Sequence, residues 1–165
     1  MSNDSPKPVR ITREQIAAYT STNYEVHGAS GFTAVVRIGQ PLPEALQSEI
    51  GAGHSVSVVT AWNPFSGRLS DPDANRKCNE ARNALLKQDL EQRCLISLKA
   101  VGWDGQMSQP SEDAWHEWSL AVLDVDSATL DELLVTHEQN AVVHVPAGGL
   151  AELVFHPHAV HVDTR

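Results

Sequence analysis

The chain has 165 residues, 41% of them hydrophobic and 20% charged, which suits one domain with a buried core and excludes wholesale disorder. No apolar run approaches the roughly 18 residues that cross a bilayer, and Met1 to Arg10 lacks the apolar centre of a secretory signal, so a soluble, cytoplasmic protein is expected. Twelve bases against twenty-one acids leave a net charge of −9, which disfavours a long nucleic-acid footprint. The balance is uneven: after Glu112 the only base is Arg165, whereas Arg68, Arg76, Lys77, Arg82, Lys87 and Arg93 fall close together and leave room for a small anionic ligand.

Residues 1–10, with Pro6 and Pro8 and no apolar period, read as a flexible lead-in. Thr12 followed by Gln15 has the form of a capping box and predicts a short helix to about Tyr19. Tyr24 and Val26, a Gly28–Gly31 turn and the β-branched run Phe32–Ile38 predict a hairpin. Pro43 suits a first helical position, Leu46 and Ile50 share a face, and Gly51 or Gly53 ends that helix. Val56–Ala61 reads as a buried strand, halted by the turn-rich Trp62-Asn63-Pro64-Phe65-Ser66-Gly67. The longest helix follows, capped by Ser70 or Asp71 and reaching about Cys94. Cys78 and Cys94 would then lie about 24 Å apart along it, too far to bridge. Leu95–Val101 is a strand, Gly102–Asp113 a polar loop and Trp115–Val125 a longer strand; Ser127 caps a helix over Ala128–Val135, and Ala141–Val145 with Leu150–Phe155 forms a closing hairpin. The expected fold is α/β, with α+β as the nearest alternative: a single layered domain over 11–156, a mixed sheet with about four helices, and a tail over 157–165.

Turning the long helix in 100° steps puts Ala74, Cys78, Ala81 and Leu85 on one apolar stripe extended by Leu86 and Leu90. Asn75, Asn79 and Arg82 line up above Leu86 on the side expected to face the core. An unpaired buried polar group costs roughly 1 to 3 kcal/mol, so these side chains require partners. Their place near a helix N-terminus, beside a loop leaving a strand, is where ligands collect in open sheets. Equally, Arg82 and Asn79 could brace the Trp62–Ser66 loop. Along the later strand, alternation sets Glu117, Ser119, Ala121 and Leu123 on one face and His116, Trp118, Leu120 and Val122 on the other. Glu117 on a buried strand needs a cation, and Arg82 is the expected partner, either in a structural ion pair or with Glu117 as a general base.

The strings Thr60-Ala61-Trp62-Asn63-Pro64-Phe65-Ser66 and Asn79-Glu80-Ala81-Arg82-Asn83, then Trp115 with Glu117 and Ser119, and Gln139-Asn140-Ala141 resemble the bacterial family called domain of unknown function 3293. The resemblance runs from about Tyr19 to Leu153, and it implies a small soluble cytoplasmic protein without assigning a reaction. One departure is that Trp118 follows the Glu where the family usually carries Pro.

Other features carry less. His156-Pro157-His158 with His161 has the form of a metal site, but Asp163 is the nearest carboxylate and Pro157 disrupts the strand, so no metal is expected. Gly51-Ala52-Gly53 lacks the Lys-Ser or Lys-Thr of a phosphate loop, and no cofactor is implied. Ser66 and Cys78 have no His marked as a base, and Cys78 on an apolar stripe reads as core. Trp62, Trp115 and Trp118 are expected in the core and Trp103 at the surface. The functional expectation is a pocket for a small anionic metabolite, walled by Trp62, Asn63, Ser66, Asn79, Arg82, Glu117, Gln139 and Asn140. Arg82 would hold the anion, and Glu117 would neutralise it or move a proton in a hydrolase or transferase. The alternative is a non-enzymatic regulatory or protein-partner-binding module in which the cluster is a brace and the acidic last third is the recognition surface.

Overall fold

A computed structural model describes residues 6–105 and 116–163. In chain order the elements are β1 (Val9–Thr12), α1 (Arg13–Ser21), β2 (Thr22–His27), β3 (Thr33–Val36), α2 (Glu44–Ile50), β4 (Val56–Val59), α3 (Pro72–Gln92), β5 (Ser97–Asp104), β6 (His116–Leu123), α4 (Ser127–Thr136), β7 (Ala141–Val145), β8 (Glu152–Phe155) and β9 (Ala159–Val162). Four α-helices and two sheets form one mixed α/β domain. The main sheet has seven strands in the order β3-β2-β5-β6-β4-β7-β8, and every neighbouring pair in it is antiparallel. Among the described residues, parallel pairing is confined to β1 with β9. That small sheet draws on both expected loose ends: Val9 and Arg10 pair with Ala159 and Val160, and Ile11 is fully buried. Neither segment has a period long enough to announce a strand; each becomes one because the other is alongside.

Local chemistry accounts for the helix boundaries. Thr12 and Gln15 form the reciprocal capping box, and Asp71 caps α3 through the amides of Asp73 and Ala74. Gly51, at φ 89°, ends α2 in a conformation that disfavours side chains. Two caps differ from expectation. Pro43 is the N-cap of α2, not its first helical residue, and Asp126 caps α4 in place of Ser127, because its carboxylate accepts the Thr129 amide at 2.7 Å.

Helices cover both faces of the sheet. On one face Leu86 and Leu90 of α3 and Leu130, Leu133 and Leu134 of α4 pack on Val59, Leu120, Val122 and Val142, each buried leucine contributing about 1.5 to 3 kcal/mol. On the other, Leu46 of α2 packs on Val26, Val36, Val56, Val58, Ala121 and Val143. β6 serves both, with Ala121 facing one side and Leu120 and Val122 the other.

Three expectations about burial are corrected. Helix α3 turns Asn79, Leu86 and Leu90 inward, which leaves Cys78 exposed and Leu85 60% exposed. Trp103 is buried in β5, since the strand runs on through Gly102 and Asp104 with β2 on one side and β6 on the other. Trp118, expected in the core, is 40% exposed. Trp115 and residues 106–113 of the expected polar loop lie outside the described residues.

Candidate functional site

The loop after β4 is held by amides. Asn63 donates its backbone N–H to Asn79 Oδ1 at 2.9 Å, and its own Oδ1 accepts from Asn79 Nδ2 at 2.8 Å and Asn75 Nδ2 at 3.2 Å. One turn further along α3, Asn83 Oδ1 accepts the Ala61 amide at 2.8 Å and its Nδ2 donates to the Trp118 carbonyl at 2.7 Å. Trp62 is buried, and its carbonyl accepts from Gln139 Nε2 at 3.2 Å. Under this restraint Asn63, Phe65 and Ser66 all hold positive φ, at 45°, 48° and 61°, a conformation costing an L-residue on the order of 1 kcal/mol or more. The amides of α3 offset that cost and aim Ser66 toward α1.

There, between α1, the 63–68 loop and the sheet face that carries β2, β6 and β7, lies a cavity of about 600 Å³. Its polar wall is a small network. Asn140 Nδ2 donates to Tyr19 Oη at 2.9 Å and to Ser66 Oγ at 3.0 Å, and Gln15 Nε2 donates to Ser66 Oγ at 3.3 Å. Its floor is the sheet in three successive rows. The first holds Tyr24 and Glu117, separated by Gly102 in the pairing register; the second holds Ser119, Thr60 and Ala141, and the third Val58, Val143 and Leu153. Rows two residues apart on each strand place the first and third about 13 Å from one another.

The charged lining residues are Arg68, Asp104 and Glu117. Burial pushes the Glu117 carboxyl up to about 8, with the Arg68 guanidinium pulling it back down. Near neutral pH the acid is therefore mostly protonated. Burial, then the neighbouring Glu117, also raises Tyr24, whose hydroxyl donates to the Tyr19 carbonyl at 2.8 Å.

Among the residues read from sequence, Asn63, Ser66, Glu117, Gln139 and Asn140 meet at this cavity. Trp62 and Asn79 stand behind the loop and support it. Arg82 is elsewhere. Its guanidinium is 45% exposed, bonds Glu138 at 3.3 Å and borders a separate groove between α3 and α4. The expected Arg82–Glu117 pair is thus replaced by Arg82–Glu138, and the cation that acts on Glu117 is Arg68. A helix step of 100° explains the substitution: Asn83, not Arg82, continues the inward line Asn75, Asn79, Leu86, Leu90. Gln15, Tyr19, Tyr24 and Arg68 were not legible as site residues. Arg68 stood out only as part of a basic strip, and α1 reaches the cavity through contacts more than 40 residues distant in sequence. Among the described residues, no three His, Cys, Asp or Glu side chains converge on a point that could hold a metal ion, and no helix is long and apolar enough to cross a membrane.

These features define a small α/β domain with a half-enclosed polar cavity against an antiparallel sheet. The sequence model of the family described as protein of unknown function (DUF3293) matches residues 59–142, and the chain belongs to that family. The matched span carries the amide brace, Arg68, Glu117, Gln139 and Asn140, while Gln15, Tyr19 and Tyr24 precede it. No curated protein and no solved structure matches the chain.

Proposed function

We propose that this protein binds a small anionic molecule in the cavity between α1 and the sheet, with Arg68 at the mouth holding the anion. The observation that carries the reading is the lining itself: a volume of about 600 Å³, in the range of small-ligand pockets, into which a guanidinium, two carboxyls, two tyrosines and the Asn140–Ser66 network all open. Among the described residues Arg68 makes no hydrogen bond or ion pair within 4.0 Å, so its charge is free to meet a ligand. Should a chemical step follow binding, as in a hydrolase or transferase, Glu117 is the lining group suited to move a proton, because its raised pKa lies near the working pH.

A thermal-shift panel of phosphate, acetate, succinate and isocaproate tests the proposal, since a ligand held by the native state raises the midpoint. The expected outcome is a shift with at least one anion that Arg68→Ala removes and Arg82→Ala leaves intact. A shift that survives Arg68→Ala, or none from the wild type to any anion, would reject it.

A further inference from the structure

Arg68 and Glu117 carry opposite formal charges and line one cavity, yet no ion pair within 4.0 Å joins them. Neither has any other hydrogen-bonding or ionic side-chain partner among the described residues. Asp104, the third charged lining group, has an interaction of its own and is not free in this sense. Arg68 is exposed at the mouth, whereas Glu117 is partly buried and keeps its proton near neutral pH, so neither requires the other. Both open onto the same cavity. A ligand that engages both ends presents an anion toward Arg68 and, by taking the place of the Glu117 proton, a cation toward that carboxyl. Beyond the charged row, the floor becomes aliphatic at Val58, Val143 and Leu153, about 13 Å along the strands.

We propose that the ligand is a zwitterion of the apolar α-amino acid type, its carboxylate on Arg68, its ammonium on Glu117 and its side chain directed along the strands toward Val58, Val143 and Leu153. The inference rests on the anion-binding reading above and adds the cationic end and the apolar body. Pairing with an ammonium ionises Glu117, so a proton leaves to solvent on binding. The other groups facing that carboxyl are Arg68 from the loop, Tyr19 from α1, Tyr24 from β2 and Asp104 from β5. Burial moves Tyr24 further from this range, and Glu117 is the proton source.

The test is isothermal titration of the full chain with alanine, valine, leucine and phenylalanine, together with isocaproate and isoamylamine, which are leucine without its ammonium and without its carboxylate. Leucine is expected to bind at least about tenfold more tightly than either truncated analogue. Its affinity should rise by up to about tenfold per pH unit between about pH 6 and 8, with proton release seen as a buffer-dependent heat. Glu117→Gln, which mimics the protonated acid and so keeps the fold, should erase both the pH dependence and the preference for leucine over isocaproate. Isocaproate binding as tightly as leucine, in an Arg68-dependent manner, would overturn the zwitterion and leave the anion site standing. No binding by any amino acid would overturn the zwitterion, and no binding by isocaproate, phosphate, acetate or succinate either would overturn the anion site with it.

Discussion

The two polar regions that flank the 63–68 loop are built from similar side chains and behave in opposite ways. On the α3 side, Asn63 and Asn79 hold each other, and Asn83 holds the backbone of Ala61 and Trp118. On the α1 side, Asn140, Gln15, Tyr19 and Ser66 are bonded to one another, but Arg68 and the protonated Glu117 beside them do not pair. A satisfied network fixes a shape, whereas an unsatisfied one in the same molecule keeps its free energy of interaction for something that arrives later. The contrast extends to the apolar layers: leucines of α3 and α4 fill one face of the sheet, and the other is filled only where α2 covers it.

The largest expected effect lies on the filled face. Leu86→Ala removes a fully buried side chain and should lower the unfolding free energy by about 2 to 5 kcal/mol in urea titration. A loss under 1 kcal/mol, within the range of surface substitutions, would mean that the packing contrast between the faces is not real. Next comes the brace. Asn79→Ala strands the buried backbone amide of Asn63 and leaves its side-chain oxygen with Asn75 alone, at a cost of about 1 to 3 kcal/mol. It should also loosen the left-handed turn at Asn63–Ser66, visible as faster hydrogen exchange at the Ser66 and Gly67 amides, which bond back to Asn63 and Pro64. If exchange there is unchanged, the loop conformation does not depend on α3.

The third effect sharpens the comparison by titration. In the folded protein Glu117 keeps its proton up to about 8, whereas in the unfolded chain it loses it near 4.5. Between those values the folded state binds more protons than the unfolded one. Glu117's contribution to stability is therefore fully present below about 4.5 and is lost as pH rises toward about 8, with a slope of up to about 1.4 kcal/mol per pH unit. Glu117→Gln abolishes that slope, so wild type and variant should be closer in stability at pH 5 than at pH 8, with the variant the more stable at the higher pH. Parallel curves for the two proteins would show that the carboxyl is already paired in the unliganded state, and the contrast with the brace would collapse.

What was legible in sequence divides along the same line. Elements governed by local chemistry were readable: the Thr12–Gln15 capping box, the start of α3 at Asp71, the β2–β3 and β7–β8 hairpins and the two-faced alternation of β6. So were the amides of α3 as groups requiring partners, because periodicity fixes which way a helical side chain points to within a residue or so. That residue was decisive for Arg82. Asn83 takes the inward position, and a long exposed guanidinium one step round the helix finds its carboxylate on the solvent side. The cavity itself could not be read, since it is made by α1 coming to rest near Asn140, 121 residues away, and by a cation from an irregular loop. Nor could the β1–β9 pairing, in which each strand depends wholly on the other.

The smallest effect separates the two arginines. Arg82–Glu138 spans 3.3 Å between side chains that are 45% and 49% exposed, and an ion pair in that setting contributes about 0 to 1 kcal/mol because water screens it and two long side chains must be ordered. Arg82→Ala should thus change stability by less than about 1 kcal/mol, less again at high salt, and leave binding of any cavity ligand within twofold. The Glu138 backbone gives the reason to expect a residual effect. Its carbonyl accepts the Phe65 amide at 2.7 Å, so freeing the Glu138 side chain touches the same loop from outside. If Arg82→Ala instead weakened binding as much as Arg68→Ala, the groove between α3 and α4 would be energetically joined to the cavity through Glu138 and Phe65. The loop would then transmit strain between the two sides of the sheet and could not be treated as a rigid partition.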